Sequence, residues 1–404
     1  MRILICNVCE RNLMLQDLTC PDTIRKNEGL KIINKLKNIR MKTRRIFLKN
    51  ALGSLAALTA ASHEFPSILL PKKKEKLGVA LVGLGYYSTD LLAPALQLTQ
   101  HCSLVGIVTG SPAKAKRWQQ QYNIPDKNIY DYKSFDSIAN NPAIDVIYIV
   151  LPPSMHKEYV IRAANAGKHV WCEKPMAVTA AECKAMIDAC NKYKVKLSIG
   201  YRMHHEPNTQ RIIQFRKDKK YGDILKVKAA AGYFDPRTDH WKQKKAMGGG
   251  SMYDMGVYPL NATRYVTGEE PIAVIAQQST TRPEIYKEVD ETMQFTLEFP
   301  GGAIANCETS FGKNMNTLDV SCRKGGYKLD PFQAYSGING VTSDGIKLND
   351  TIPNEQARQM DDDALAIMND KSVMVPGEEG WKDILVVEAI YRSVKENGRV
   401  VISR

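Results

Sequence analysis

No lasting membrane anchor is expected from the sequence. Its one leader-like apolar run, Ala51 to Ala61, is too short to span a bilayer. The chain also lacks a disulfide framework. Of nine cysteines, three (Cys6, Cys9, Cys20) fall near the start and six follow without regular spacing. Cys6-x-x-Cys9 is half a zinc site with no second half. No metal site is expected: His204 and His205 are adjacent, so they point apart, and no carboxylate-rich spacing accompanies them. Internal repeats and low-complexity tracts are absent. A basic main body is absent too. The 404 residues carry a net charge of +13, but residues 1–76 hold 16 Lys/Arg against 6 Asp/Glu, leaving +3 for the rest. A nucleic-acid partner is thereby excluded for the main body.

The basic leader reads in parts. Residues 1–40 show no core pattern and read as an upstream extension from a mis-assigned start. Residues 41–62 hold Arg44-Arg45, the apolar run and the small residues Ala60-Ala61-Ser62, the pattern of a twin-arginine (Tat) export signal. Residues 63–76 form a connector or arm with the run Lys72-Lys73-Lys74. Tat carries folded proteins, so this signal predicts a periplasmic enzyme loaded with its nucleotide in the cytoplasm, its later cysteines reduced and mostly buried.

From Leu77 to Gly200, apolar strand patterns alternate with helical ones. Ile144 to Leu151 is almost wholly apolar, as a strand covered on both faces must be. The alternation predicts an α/β fold: a Rossmann-type doubly wound parallel sheet over 77–200. Beyond it, longer alternating strands with Gly, Pro and Asp turns predict an α+β domain over 201–404, built on a large, mostly antiparallel open sheet. A helix is expected from Thr89 to Leu98 and a closing one from Trp381 to Glu396.

The loop Gly83-Leu84-Gly85-Tyr86-Tyr87-Ser88 follows the first strand. Two glycines allow a tight turn and close approach to a pyrophosphate at a helix N-terminus. Ser88 replaces the third glycine of the usual motif and is small enough for close helix–strand packing. Tyr86 and Tyr87 sit where they could cover a cofactor. The second strand normally ends in an acid that binds the NAD ribose. Here it ends Val108-Thr109-Gly110-Ser111, with Lys114, Lys116 and Arg117 beyond. A hydroxyl and cations suit a 2′-phosphate, so NADP is expected over NAD.

Two further segments stand out: Leu151-Pro152-Pro153-Ser154-Met155-His156, and the strand His169 to Cys172 followed by Glu173-Lys174-Pro175. With Gly83-Leu84-Gly85 and Asp254-x-Gly256-x-Tyr258, they make the chain resemble the Gfo/Idh/MocA oxidoreductase family from Leu77 onward, and within it the glucose–fructose oxidoreductase branch. The resemblance implies that Leu151, Pro152, His156 and Glu173 help hold the cofactor and that Lys174 lies beside the nicotinamide. It implies Tyr258 as general acid/base where most of the family has His, with Asp254 orienting the substrate hydroxyl or the lysine. Positive charge from Lys174 and an oxidised nicotinamide would favour deprotonation of the phenol. The implied activity is hydride exchange at a carbinol or carbonyl carbon of a sugar or polyol, on retained NADP with ping-pong kinetics, in a homodimer or homotetramer.

Tyr201, Arg202 and His204, after the last strand of the first sheet, are candidates to line the sugar pocket. Trp241 with Lys242, Lys244 and Lys245 could also meet substrate, though such a run usually coats a solvated face. Two other readings remain open at this point: an NAD-dependent glycosidase of the same fold, and a cofactor-bound sugar-binding protein without catalysis. The absent acid after the second strand and the Glu-Lys-Pro motif weigh against the first. The Lys174/Asp254/Tyr258 set weighs against the second.

Overall fold

The computed structural model describes residues 74–403. The chain divides into residues 1–72 and 73–404. The upstream extension, the export signal and the connector up to residue 73 lie outside the described residues.

Strand β1 (Leu77–Val82) is buried at every position, which its sequence Leu-Gly-Val-Ala-Leu-Val permits. It pairs in parallel with β2 (Cys102–Val108) on one side and β4 (Val146–Ile149) on the other. The short β3 (Ile129–Tyr130), β5 (His169–Cys172) and β6 (Leu197–Ile199) complete a parallel sheet of order 3-2-1-4-5-6. In its register Val82 lies opposite Ile149, and Ile149 opposite Cys172. The residues that follow, Gly83, Val150-Leu151 and Glu173-Lys174, therefore meet at one edge. That edge is the crevice where the strand order reverses, the ligand position of such sheets.

The second sheet has nine strands in the order 14-13-12-11-7-10-9-8-15, where β8 is Ala273–Ser279, β9 Thr292–Glu298, β12 Gly325–Leu329, β13 Gly340–Thr342, β14 Lys347–Leu348 and β15 Val400–Val401. Its centre is β7 (Ile224–Gly232), which pairs in parallel with β10 (Ile304–Ser310) and antiparallel with β11 (Met315–Cys322). The other pairings are antiparallel. One face packs on the helix Val257–Thr267, in which all residues but Thr267 are buried.

The C-terminal third returns to the first sheet. The helix Glu355–Met368 sends Ala357, Met360 and Ala364 into the cluster formed by Val79, Leu81, Trp118 and Trp171. The final helix, Gly377–Glu396, starts four residues earlier than the apolar pattern suggests and packs on Ala180–Tyr193. The helix expected from Thr89 to Leu98 also differs. It opens as a wide π turn, Tyr87–Leu92, and runs as an α-helix only over Ala93–Leu96. Pro94 has no N–H to give to a regular ladder. Among the cysteines of the described residues, five are buried and Cys322 is partly so.

Candidate active site

The first loop is shaped by its glycines. Gly83 has φ +89°, and a Cβ there would lie 2.4 Å from the Val150 carbonyl oxygen. A Cβ on Gly85 would meet nothing within 4 Å, because this residue faces an open cleft. Ser88 is buried, and its hydroxyl donates to the Gly83 carbonyl at 2.6 Å. Its role is to hold the loop from behind. At the end of β2, Thr109 Oγ1 accepts from Ser111 N at 3.2 Å, and Lys114 Nζ donates to the Leu84 carbonyl at 2.8 Å. Lys114 therefore spans from the ribose end to the phosphate loop.

The cleft measures about 680 Å³ and runs from this loop to the second domain. Its walls include Gly83, Gly85, Tyr86, Tyr87, Thr109 and Lys114 on one side. Leu151, Pro152, Glu173, Lys174, Asp254 and Tyr258 line it as well, while Ser88 and His156 of the expected cofactor set do not. The open space at Gly85, the helix start behind it and the volume of the cleft fit a dinucleotide. His156 stands behind the wall. It is fully buried, with its ring nitrogens facing carbonyl oxygens of Leu151 (2.7 Å), Pro175 (3.0 Å) and Met176 (3.2 Å). Burial lowers its pKa, which favours the neutral ring.

Lys174, Asp254 and Tyr258 come together as their motifs require. Asp254 and Tyr258 are one helical turn apart, so both face Lys174. The turn carrying them is pinned by Asp290, whose carboxylate accepts from Ser251 Oγ at 2.6 Å and Met252 N at 2.7 Å. Lys174 Nζ donates to the Asp254 carbonyl at 2.7 Å, lies 3.6 Å from its carboxylate, and sits 4.5 Å from the centre of the Tyr258 ring. Burial opposes the lysine's charge, but Tyr258, Asp254 and Glu173 outweigh it and hold its pKa above the ordinary value. Lys174 is therefore ammonium at neutral pH. Burial also opposes the charge on Asp254, yet Lys242 and Lys174 bring its pKa down to about 2. Glu173 is buried against Gly200 and accepts from the Tyr148 hydroxyl at 2.7 Å; burial pushes its pKa up.

The expected sugar-pocket residues separate. Arg202 is 2% exposed, and its guanidinium donates to Tyr258 OH at 3.0 Å, to Glu355 at 3.1 Å and to the Ala334 carbonyl at 2.7 Å. It reaches the site through Tyr258. Tyr201 and His204 do not line the cleft. Tyr201 is buried in the core, while His204 Nε2 pairs with Asn261 Oδ1 at 2.8 Å and burial lowers its pKa to about 4. The three residues sit around the start of one tight turn, Arg202–His205, which sends neighbouring side chains to different sides.

This geometry agrees with what known proteins show. Residues 77–201 match the oxidoreductase family with an NAD-binding Rossmann fold, and residues 209–328 match the GFO/IDH/MocA C-terminal domain. The chain belongs to the Gfo/Idh/MocA oxidoreductase family. Among solved structures of that fold, it is similar to the aldose-aldose oxidoreductase from Caulobacter crescentus, complexed with glycerol. The two are 40% identical with a TM-score of 0.78, over 81% of this chain and 99% of that one. Among curated proteins it is similar to the NADP-named D-xylose 1-dehydrogenase of Haloarcula marismortui, at 27% identity over 80% of this chain and 92% of that protein. It is likewise similar to the D-glucoside 3-dehydrogenase of Escherichia coli, at 25% identity over 80% and 97%. As a family member it is a nicotinamide-dependent oxidoreductase.

Several cleft residues carried no sequence signal strong enough to assign them. Tyr335, from the second domain, lines the cleft with its ring 4.8 Å from Arg202 and 6.0 Å from Tyr87. Tyr233 donates to Asp254 at 3.2 Å. Lys242 makes the shortest contact of the site, 2.5 Å to Asp254 Oδ2. Trp241 and Lys242, two of the four residues read from the sequence as able to meet substrate, do line the cleft.

Proposed function

We propose that this family member is an NADP-dependent aldose oxidoreductase that retains its nucleotide and runs a ping-pong cycle between two sugars or carbonyl compounds. The observation that carries the reading is the Lys174–Tyr258 pair, set beside the sheet crevice that fits the nicotinamide end of a dinucleotide. When bound, the nucleotide supplies a hydride acceptor and donor. Lys174 offers an ammonium hydrogen to the reacting oxygen. Tyr258, acting as the phenolate, takes the hydroxyl proton and becomes the neutral phenol, and Arg202 holds its oxygen in place through a 3.0 Å hydrogen bond. Asp254 fixes Lys174 through its backbone carbonyl and carboxylate.

Preference for NADP is supported by the end of β2, where Thr109, Ser111 and Lys114 line the cleft and no carboxylate stands. Similarity to the aldose-aldose and D-xylose enzymes supports a sugar substrate. The twin-arginine pattern at 41–62 supports a periplasmic site of action, which cell fractionation checks. The outer face of the nine-stranded sheet leaves Ile275 and Ile304 exposed, which supports a homodimer or homotetramer measurable by light scattering. Steady-state rates with two sugars varied together test the cycle: parallel reciprocal plots support it, and intersecting plots refute it.

A further inference from the structure

We propose that Lys242 is a substrate-contacting residue, donating to the hydroxyl next to the reacting carbon. The inference rests on the aldose reading above.

The run Lys242, Lys244, Lys245 reads as a solvated face, but its members are treated differently. The Lys244 side chain is 55% exposed and pairs with Asp239. The Lys242 side chain is 19% exposed and lines the cleft. Its Nζ donates to Asp254 Oδ2 at 2.5 Å and to Tyr233 OH at 3.1 Å. An ammonium has three N–H groups. Among the described residues no side-chain or carbonyl acceptor takes the third, although the Trp241 ring centre lies 5.8 Å from the ammonium. Tyr233 OH cannot take more: it accepts from Lys242 and from Arg237 NH2 at 3.1 Å, and donates to Asp254. The spare N–H of Lys242 thus remains for a ligand in the cleft.

Its position relative to Lys174 gives the substrate chemistry. The two ammoniums flank one carboxylate, Lys174 by Oδ1 and Lys242 by Oδ2. A polyol with adjacent hydroxyls can address both, with the reacting oxygen at Lys174 and Tyr258 and its neighbour at Lys242. The placement is built into the backbone. The Lys242 carbonyl accepts from Gly250 N at 2.8 Å, and a Cβ on Gly249 would lie 2.4 Å from that carbonyl oxygen. Gln243 donates to the Arg237 carbonyl and accepts from His240 N, each at 2.7 Å, closing the turn. Arg237 is in turn paired with the fully buried Asp235. The glycine run before the catalytic helix therefore seats this loop and presents Lys242.

The test compares kcat/KM for glucose and its singly deoxygenated analogues in the wild type, Lys242→Met and Lys242→Gln, with bound nucleotide measured in each. A site built to hydrogen-bond a hydroxyl rejects the analogue lacking it, here by about 100-fold or more in the wild type. In Lys242→Met that one penalty should collapse to within about threefold, while penalties at other positions persist. Lys242→Gln keeps a donor and should retain part of the penalty; it decides the matter if Lys242→Met fails to hold nucleotide. A wild-type-sized penalty at every position in both variants overturns the inference while leaving the aldose reading intact. Absence of wild-type turnover on glucose, on xylose and on every other aldose overturns that reading, and this inference with it.

Discussion

On the proposed mechanism Tyr258 carries the proton-transfer role, and its hydroxyl is the only part Tyr258→Phe removes. The ring would keep its place over Lys174 and against the core. Turnover should fall by about 100- to 10,000-fold, the range for losing a positioned acid/base. Bound nucleotide should stay, and its content in the purified variant separates lost chemistry from lost binding. Asp254 makes a pH prediction. Its pKa is depressed from 3.8 to about 2 in the folded chain, so its stabilisation is complete above pH 4 and lost as pH falls through 2. A shift of that size corresponds to about 2 kcal/mol. Denaturant titrations should show that loss between pH 4 and 2 in the wild type, and a flatter profile in Asp254→Asn. At the ribose end, Lys114→Glu should weaken NADP binding far more than NAD binding, read by titration of the nucleotide-free protein. At this scale the sequence was partly legible. Asp254 and Tyr258 share a helix face by their spacing, and the family resemblance of their motifs is what joined Lys174 to them. Lys242 stands in a run of lysines, and nothing local separates the one turned inward from the two left in solvent. Tyr201, Arg202 and His204 are near neighbours in sequence, but a tight turn decides that only Arg202 touches Tyr258.

Elements explain why the side chains stand where they do. The strands of the first sheet and the longer strands of the second were legible because buried strands show as apolar runs and half-buried ones as alternation, whereas the short strands Gly325–Leu329, Gly340–Thr342, Lys347–Leu348 and Val400–Val401 were not. The helix Glu355–Met368 was not. Its Asp361-Asp362-Asp363 run looks solvated, yet each carboxylate meets a different distant segment. Asp361 accepts from the backbone N–H groups of Gln100 and His101, Asp362 pairs with His205, and Asp363 accepts from Ser198. These partners lie more than 150 residues away, beyond the reach of any local pattern. Glycine positions make the prediction for elements. Gly249→Ala would push a Cβ to 2.4 Å from the Lys242 carbonyl oxygen, so the loop must move. Sugar turnover should drop while nucleotide content holds. Gly83→Ala, by contrast, combines φ +89° with a 2.4 Å clash at Val150 and should abolish nucleotide retention. Together the two variants separate the sugar side of the cleft from the nucleotide side.

At the scale of the molecule, the two sheets are tied by the C-terminal helices, which leave the second sheet and cover the first. Arg264 is central to that connection. Its side chain is 4% exposed and binds Asp383 at 2.6 Å, Glu270 at 2.6 Å and Glu379 at 2.9 Å. Removing it leaves Asp383 buried without its cation. Arg264→Met should cost about 3–5 kcal/mol, seen as an earlier denaturant midpoint, although the residue lies outside the cleft wall. The net charge of +13 belongs mostly to residues 1–76, so the catalytic body does not owe its substrate choice to a general basic field. On the proposed reading, choice rests instead on particular cations that line the cleft: Lys114 at the ribose end, and Lys174 and Lys242 around Asp254.

The central claim is that this cleft keeps NADP and exchanges hydride with an aldose. The most direct measurement is to purify the protein, release its nucleotide by denaturation and identify it by mass, then add glucose or xylose to the intact protein and follow the absorbance of reduced nicotinamide. The account predicts NADP at about one per chain, reduced by the sugar without added nucleotide and reoxidised by a second carbonyl compound. Bound NAD, or bound NADP that no aldose reduces, would contradict it.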